Sequence, residues 1–554
     1  MGRSGQWYGF VATNMKYFFH NELNIRNKVF MFNTNFIIKI IALFFLFNIS
    51  AYAAYSDIQD KLSIFDSYVK SIQKDWQVPG VSIAIVEENK IIFDKGFGIR
   101  NKKMDPVTSD TLFDIASLTK SFTTALLAIQ IEREKYAWDT KIIDLYPQFK
   151  LYDPIVTKKF EVKDLIAHNS GLPPDALDAL GNFGYNSTHM INSLRFIKPV
   201  NAFKTQFAYE DIFPVLAKEI IQKVSKKNYA IFLHQNLLIP LQMNNTYTVT
   251  EENFSRLENV AWPYVDYDGK VYPYTKNYPY ISQKWALENG IGSGGIESSA
   301  KDIAKWLMFN MDNGAIGSAQ LISVKNMNFI HSPYTKIKTS NDTNLSGETA
   351  QAYGEGWFID TQSYKPYTVL FHAGGGTGMH ALMAYIPERK IGIVILTNTW
   401  GNKIPEILYR KWFDLYLNKA YSKDWNQLFL EQRKKVLSED NKISNSSECT
   451  EKNVVKLNKY VGTYHNSVYG NLVVSKEKNN LYLIIGPKKI KWQLIPCQKN
   501  ILKAYWPNPG GMNFPMLPAG QDRIEFTIGL NDSIQKMTIP FLNDDGSGIF
   551  IKNE

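Results

Sequence analysis

The stretch Phe113-Asp-Ile-Ala-Ser-Leu-Thr-Lys120 marks the point where a loop meets a strongly apolar helix, which continues to about residue 131. The Ser-x-x-Lys pattern occurs six times in the chain, so only this context distinguishes Ser117. Because Ser117 and Lys120 lie three residues apart at a helix start, we expect both side chains on one helix face. The helix dipole would favour a developing alkoxide at Ser117. In apolar surroundings Lys120 would lose proton affinity and act as a base or proton relay.

Strand and helix patterns surround this stretch in an order typical of an α+β domain. Strands are predicted both early and late in the region, and helices lie between them. We therefore expect an antiparallel sheet built from both ends of the domain, flanked by helices and carrying an inserted helical region. The predicted strands are 81–86, 90–96, 355–361, 367–372, 380–386 and 391–397, and the main predicted helices are 117–131, 209–224, 299–311 and 403–418.

The length of 554 residues and the hydrophobic content of 45% are sufficient for two or three domains. Short alternating strands beyond residue 455 predict a small all-β barrel or sandwich. The chain has no run of 18 uncharged apolar residues, which excludes a polytopic membrane protein. We expect four parts: an N-terminal extension with a signal peptide over 1–53, a mixed domain over 56–418, a linker over 419–454 and a β domain over 455–554.

Residues 36–47 (FIIKIIALFFLF) form an apolar run that is short for a membrane span, and Ala51-Tyr-Ala53 follows it. This pattern predicts a signal peptide cleaved after Ala53, with Met31 as the true start. The mature protein would then be periplasmic or secreted, and an uncleaved membrane anchor is the alternative. In an oxidising compartment Cys449 and Cys497 could form a disulfide.

The net charge of +10 does not point to a nucleic-acid partner. Without residues 1–53, 57 basic and 51 acidic side chains are left, and the short basic runs are interpreted as solvated faces. Two cysteines exclude a four-thiolate zinc site, and the chain lacks H-E-x-x-H, G-x-S-x-G and Walker A motifs. No metal or organic cofactor is expected. The G-x-G-x-x-G match at Gly290, Gly292 and Gly295 follows no convincing strand, so we interpret it as a turn.

Three segments follow one another along the chain: Val78-Pro-Gly-Val-Ser-Ile-Ala-Ile-Val86, the Ser117 stretch, and Leu165-Ile-Ala-His-Asn-Ser-Gly-Leu-Pro173. Together they resemble the serine β-lactamase-related family, which contains class C β-lactamases, D-alanyl-D-alanine carboxypeptidases, D-aminopeptidases and related esterases. The resemblance covers about residues 56–418. It implies a β-lactamase/transpeptidase-like domain in which Ser117 is the acylated nucleophile and Lys120 helps to move its proton.

The resemblance also implies a Tyr-x-Asn element, and Tyr209-Glu-Asp211 stands 92 residues after Ser117, at a fitting distance. Tyr209 would be the general base or proton relay, with its phenol acidified by a nearby lysine ammonium. Asp211 stands where the family usually has Asn. It could pair with Lys120 and line the substrate site, but an ionised Asp cannot donate a hydrogen bond to a substrate amide.

The third implied element is Lys-Thr-Gly or His-x-Gly on a strand, and His372-Ala-Gly374 occupies the matching place, 255 residues after Ser117. Here His372 and Gly374 would contact substrate, and His372 would titrate near neutrality. The backbone N–H groups of Ser117 and Gly375 would form the oxyanion hole. We interpret His168 as a residue that fixes its loop.

The segment Leu457-Asn-Lys-Tyr-Val-Gly-Thr-Tyr464 resembles the start of the lipocalin-like C-terminal domain attached to many of these relatives. The predicted function is an exported serine hydrolase that acts through an acyl-enzyme on D-amino-acid peptides, cell-wall fragments or small esters. Its partners would be small-molecule or peptide substrates, and a homo-oligomer is left open. Two alternatives also stay open: a non-catalytic peptidoglycan-binding or assembly protein on the same fold, and a true β-lactamase.

Overall fold

The computed structural model describes residues 57–249, 257–267, 269–273, 289–338, 350–376, 378–419, 423–446, 456–498, 500–505, 523–530, 533–543 and 546–553. The chain divides into two compact units after Tyr68. The described part of the first unit, residues 57–68, is helical. The predicted signal peptide and the start at Met31 lie outside the described residues. Within those residues, no helix is both long and apolar enough to cross a membrane.

The second unit contains an eight-stranded antiparallel sheet in which two strands from the start of the region, β1 (Gly80–Glu87) and β2 (Lys90–Gly98), pair beside the late strand β15 (Ile391–Thr397). This confirms the prediction of a sheet assembled from both ends of the domain. Its strands, in spatial order, are β10 (Thr335–Lys336), β11 (Ala352–Tyr353), β12 (Phe358–Asp360), β13 (Val369–Gly376), β14 (Met379–Ile386), β15 (Ile391–Thr397), β1 (Gly80–Glu87) and β2 (Lys90–Gly98).

Within the described residues, the domain also has three smaller sheets. The first joins β3 (Phe113–Asp114), β7 (Ile296–Ser298) and β4 (Thr246–Thr248). The others join β16 (Thr399–Trp400), β5 (Tyr264–Tyr267) and β6 (Lys270–Pro273), and β8 (Ala315–Ile316) with β9 (Ala319–Gln320). The sheet that contains β3 positions the Ser117 turn, because β3 ends just before that turn begins.

Helices pack around the sheet and form the inserted region. The first helix after β3 is buried on nearly all sides, so that polar side chains such as Lys120, Thr123 and Gln130 are buried together with its apolar ones. Besides helical residues 69–75, the helices are α1 (Thr119–Glu132), α2 (Ile142–Leu145), α3 (Pro154–Lys159), α4 (Asp178–Asn182), α5 (Ser187–Ser193), α6 (Ile212–Ser225), α7 (Tyr229–Leu233), α8 (Ala300–Met311), α9 (Val324–Ile330), α10 (Ile404–Tyr416) and α11 (Trp425–Ser446).

Helix α11 lies within the predicted linker over 419–454. The indole N–H of Trp425 donates a hydrogen bond to the Asp414 carboxylate, and Phe429 is buried. The first turns of the helix therefore have one packed face, although the segment is rich in charged residues. The rest of the predicted domain bounds stay predictions. Cys497 is buried and disulfide-bonded, whereas Cys449 lies outside the described residues.

The C-terminal region is a closed eight-stranded barrel, so of the two predicted β architectures the barrel is found. Alternate side chains such as Tyr464 and Trp492 point inward and are fully buried. Its strands are β17 (Gly462–Asn466), β18 (Gly470–Glu477), β19 (Asn480–Ile485), β20 (Ile490–Gln498), β21 (Ile501–Tyr505), β22 (Arg523–Ile528), β23 (Ile534–Thr538) and β24 (Ile549–Lys552).

The barrel packs against the inserted helical region through the segment between α4 and α5. The ring of Phe183 lies 5.8 Å from that of Trp492 and 6.1 Å from that of Tyr469. The Tyr185 hydroxyl donates a hydrogen bond to the Tyr469 carbonyl, and the imidazole of His189 bonds the Val468 carbonyl at 2.8 Å. The two regions therefore share one continuous hydrophobic core.

Candidate active site

Ser117 lies in a 3-10 turn, Ala116–Leu118, immediately before α1. Ala116 has a φ of +45°, a left-handed conformation that is uncommon for a residue with a Cβ. The carboxylate of Asp114 accepts the Ala116 N–H at 2.8 Å and stabilises this conformation. Such strain is frequent at functional turns, and here it leaves the Ser117 side chain partly exposed at the end of a buried helix.

Lys120 is fully buried and its ammonium has three acceptors. The Nζ atom lies 3.1 Å from Ser117 Oγ, 2.5 Å from Asp211 Oδ1 and 3.3 Å from the Ser293 carbonyl oxygen. An ammonium has three protons to donate, so this set satisfies it completely. The structure thus brings together the predicted serine and lysine and the acid that stands in place of Asn.

Tyr209 lies over this group, with its ring centroid 4.6 Å from Lys120 Nζ, and its phenol is hydrogen-bonded to the Ser117 side chain. Burial, and after it the negative charge of Asp211, raises the pKa of Tyr209 well above its ordinary value. The expectation of an acidified phenol is therefore wrong. Asp211 is part of the motif, whereas Asp178 and Asp175, whose charges also raise the pKa of Tyr209, come from a separate segment. Tyr209 is a neutral phenol, which can relay a proton but does not act as a standing phenolate.

Asp211 precedes α6 and forms a partly buried ion pair with Lys120. The Asp211 side chain is 36% exposed, whereas that of Lys120 is 0% exposed. The carboxylate therefore reaches the cleft from the solvent side, while the ammonium lies beneath it. An Asn at this position would offer an N–H₂ group to the cleft, but Asp211 offers a charge that is already paired with Lys120.

The glycine-rich segment at residues 290–295 is a turn, as interpreted from the sequence. The Ser293 carbonyl accepts a hydrogen bond from the Lys120 ammonium, and the Gly292 carbonyl accepts one from the Thr123 hydroxyl at 2.7 Å. Gly292 has a φ of +107°, which a residue with a Cβ rarely adopts. The segment forms the floor of the lysine pocket. Sequence reasoning missed this role, although the glycine spacing was the available signal.

His372 lies on β13 and is fully buried. Its Nδ1 is 2.6 Å from the Ala373 carbonyl oxygen and must donate, so its Nε2 accepts the Tyr353 hydroxyl at 2.9 Å. Burial and the nearby Lys120 charge lower the pKa of His372 to about 3. The expectation that His372 titrates near neutrality is therefore wrong. It is a neutral hydrogen-bonding group inside the sheet, without an exposed surface for substrate.

The glycine run on β13 approaches the Ser117 turn closely. A Cβ on Gly374 would lie 2.4 Å from the Ile115 carbonyl oxygen and 2.9 Å from Ser117 N. A Cβ on Gly375, which points to the opposite face, would collide with the Trp400 ring. Glycine is therefore required for the strand and the Ser117 turn to meet. The oxyanion-hole role of the Ser117 and Gly375 N–H groups stays a prediction.

His168 supports Tyr209 from behind. It is buried, has a φ of +53°, and its ring lies 4.3 Å from that of Tyr209. Its Nδ1 accepts the Glu210 N–H at 3.2 Å, and its carbonyl accepts the Ala208 N–H. These bonds agree with a loop-fixing role. Across the part of the chain that the structure describes, no group of three His, Cys, Asp or Glu side chains is arranged to hold a metal ion.

Comparisons with known proteins agree with this fold. An unguisins hydrolase of Aspergillus campestris is 24% identical over 451 residues, which are 76% of this chain and 79% of that protein. An unguisins hydrolase of Aspergillus violaceofuscus is 27% identical over 361 residues, 60% of this chain and 61% of that protein. The chain therefore spans less than two thirds of the second relative.

Two solved structures share the architecture. The octameric penicillin-binding protein homologue from Pyrococcus abyssi has a TM-score of 0.56 at 22% identity and covers 89% of this chain and 100% of its own. The D-amino acid amidase from Ochrobactrum anthropi SV3 has a TM-score of 0.52 at 22% identity and covers 64% of this chain and 99% of its own. Finally, the β-lactamase family model matches residues 65–415. Because this match covers well over half of the chain, the chain belongs to the β-lactamase family and is a serine hydrolase.

Proposed function

We propose that this serine hydrolase forms an acyl-enzyme at Ser117 on D-amino-acid peptides or amides, cell-wall fragments or small esters. The observation that carries the proposal is the 3.1 Å contact between Lys120 Nζ and Ser117 Oγ, with Asp211 on the same ammonium. Nucleophile and proton-moving groups within hydrogen-bond reach are the arrangement that covalent catalysis needs.

In the proposed reaction, Ser117 Oγ attacks the substrate carbonyl carbon. The neutral Tyr209 phenol accepts the serine proton and passes its own proton to the leaving nitrogen or oxygen, since a phenol both donates and accepts. The Lys120 ammonium stabilises negative charge on Ser117 Oγ, and backbone N–H groups of Ser117 and Gly375 stabilise the oxyanion. Water then attacks the acyl group, the proton returns to Ser117, and the carboxylic acid product leaves.

Two observations favour amide or ester substrates over β-lactams. His372 is buried and neutral, so it supplies no charge for a substrate carboxylate, and Asp211 adds negative charge to the cleft. The names of the relatives are in line with this: two are unguisins hydrolases, and one solved structure is a D-amino acid amidase, whose name supports amide cleavage.

The test compares Ser117→Ala with Ser67→Ala, since Ser67 begins another Ser-x-x-Lys match and its exposed hydroxyl bonds only local backbone among the contacts described. On a chromogenic ester and a panel of D-amino-acid amides, Ser117→Ala is expected to lose about 10³-fold or more in kcat/KM, and Ser67→Ala nothing. Intact-mass analysis should show a transient acyl adduct that Ser117→Ala lacks. Unchanged hydrolysis by Ser117→Ala would refute the mechanism, and an adduct that persists would favour a binding protein.

Export is part of the same proposal and has its own test. The expected mature protein begins after Ala53, in the periplasm or outside the cell. N-terminal sequencing of protein from the native host checks this. A mature chain that begins before Met31 would exclude both the predicted start and the predicted cleavage.

A further inference from the structure

Asp178 is a carboxyl group of the active-site wall that no motif singles out. It is the first residue of α4 and follows Leu177, which has a φ of +69°. Three residues earlier, the Asp175 N–H donates to the Tyr209 carbonyl at 2.8 Å. The loop that carries Asp178 is therefore tied to the segment that carries Tyr209 and Asp211.

The carboxyl group of Asp178 contacts Asp211 through the backbone. It accepts a hydrogen bond from the Asp211 N–H, which belongs to the residue that caps α6. Its Oδ1 atom is inaccessible to solvent and has no hydrogen-bond partner in the described part of the chain. A buried carboxyl oxygen without a partner is costly when the group is ionised and far less so when it is protonated.

We propose that Asp178 is a positioning residue for the reaction: by holding the backbone of Asp211, it sets the Asp211 carboxylate against Lys120. It acts through Asp211 and needs no contact with substrate. This inference rests on the proposed function, because its readout is the hydrolysis that the Ser117 site performs.

The surroundings of Asp178 determine its charge. Burial raises the pKa of Asp178 well above its ordinary value, and the charges of Asp211 and Asp175 raise it further, while Lys120 and the Asp211 N–H act in the opposite direction. Tyr209 is the other titratable group that interacts with it. Two neighbouring carboxyl groups resist ionising together, so Asp178 is the protonated member when Asp211 pairs with Lys120.

A pH dependence follows from this pairing. When pH rises far enough to ionise Asp178, a second negative charge appears beside Asp211 and competes for Lys120. The Lys120–Ser117 contact then weakens, so activity should fall on the alkaline side. An amide at position 178 keeps an acceptor for the Asp211 N–H but cannot ionise, so it should remove this alkaline fall.

The experiment measures kcat and KM from pH 5 to 10 for wild type, Asp178→Asn, Asp178→Ala and the control Asp153→Asn. Asp153 caps the short helix α3, where its side chain accepts the Ile155 N–H, so its variant reports the loss of a carboxylate with a purely structural role. We expect Asp178→Asn to keep neutral activity within about threefold and to lose the alkaline limb. We expect Asp178→Ala to lose about tenfold in kcat with little change in KM, because it loses the backbone acceptor.

Circular dichroism and melting curves identify variants that fail to fold. If Asp178→Ala does not fold, the isosteric variant Asp178→Asn still tests the proposal. An alkaline limb of the same shape in wild type and Asp178→Asn would overturn the proposal, as would a folded Asp178→Ala with wild-type kcat. A failure of the Asp178 proposal is distinguishable from a failure of the proposed function. Hydrolysis by Ser117→Ala, and the acyl adduct that this variant should lack, test the proposed function alone.

Discussion

The two walls of the cleft differ in how they contribute to the site. The helical wall, formed by Lys120, Tyr209 and Asp211, contains a buried ammonium, a phenol with a raised pKa and a carboxylate. The sheet wall, residues 372–376 of β13, contains a neutral histidine and three glycines. In the proposed reaction the helical wall therefore supplies charge and proton transfer, whereas the sheet wall brings its backbone close to Ser117. Changes of charge should act mainly on the first wall, and changes of volume mainly on the second.

The largest expected effect comes from removing the charge of the helical wall. Lys120→Met should lower kcat/KM by about 10³-fold, because Ser117 Oγ loses its ammonium and Asp211 is left unpaired. The measurement is ester and amide hydrolysis by purified variants, with the exposed Lys135→Met as the matched control. A folded Lys120→Met that stays within tenfold of wild type would show that charge on this wall is dispensable.

Neighbouring glycines of the sheet wall give the second test. Gly374→Ala places a Cβ against backbone atoms of Ile115 and Ser117, which cannot move without shifting the nucleophile, so we expect a loss of about 10²-fold in kcat/KM. The Cβ that Gly375→Ala adds meets first the ring of Trp400, a side chain that is 46% exposed, and not backbone of the Ser117 turn, so we expect less than about a tenfold loss. Equal losses in the two variants would contradict the close approach at Gly374.

The third and smallest effect concerns the neutral histidine of the sheet wall. His372 has a pKa of about 3 when folded, below its ordinary value near 6.5, so between these values the unfolded chain binds a proton that the folded chain does not. Its contribution to stability is therefore complete above neutrality and is lost as pH falls. The protonation of His372 in the unfolded chain should make the free energy of unfolding about 2 kcal/mol lower at pH 5 than at pH 7.5.

Urea unfolding at pH 7.5 and at pH 5 measures this loss in the free energy of unfolding. In His372→Gln the loss between the two pH values should be smaller than in wild type by about 2 kcal/mol. The pH profile of activity should have the same inflections in wild type and in His372→Gln. If His372 carried charge near neutrality, both results would be reversed.

Sequence reasoning predicted those features that depend on local pattern and spacing. The β1–β2 hairpin, the sheet strands and the meeting of Ser117, Lys120 and Asp211 follow from periodicity and from the family resemblance. The pKa values of Tyr209 and His372 could not be predicted, because they depend on burial and on neighbours from distant segments. Tyr353 fixes the proton on His372, and the carboxylates around Tyr209 include Asp178, which belongs to no motif.

The aromatic contact between the barrel and the helical region has a consequence for how the two parts can evolve. Phe183 and Tyr185 are covered by Tyr469 and Trp492, and they follow directly on the short helix that begins at Asp178. A substitution in either partner therefore requires a compensating one across the contact, so we expect these positions to co-vary among relatives. A chain shortened before the barrel would expose this aromatic patch a few residues from the catalytic wall. We therefore expect the barrel and the site to be inherited together and to be poorly suited to exchange as separate modules.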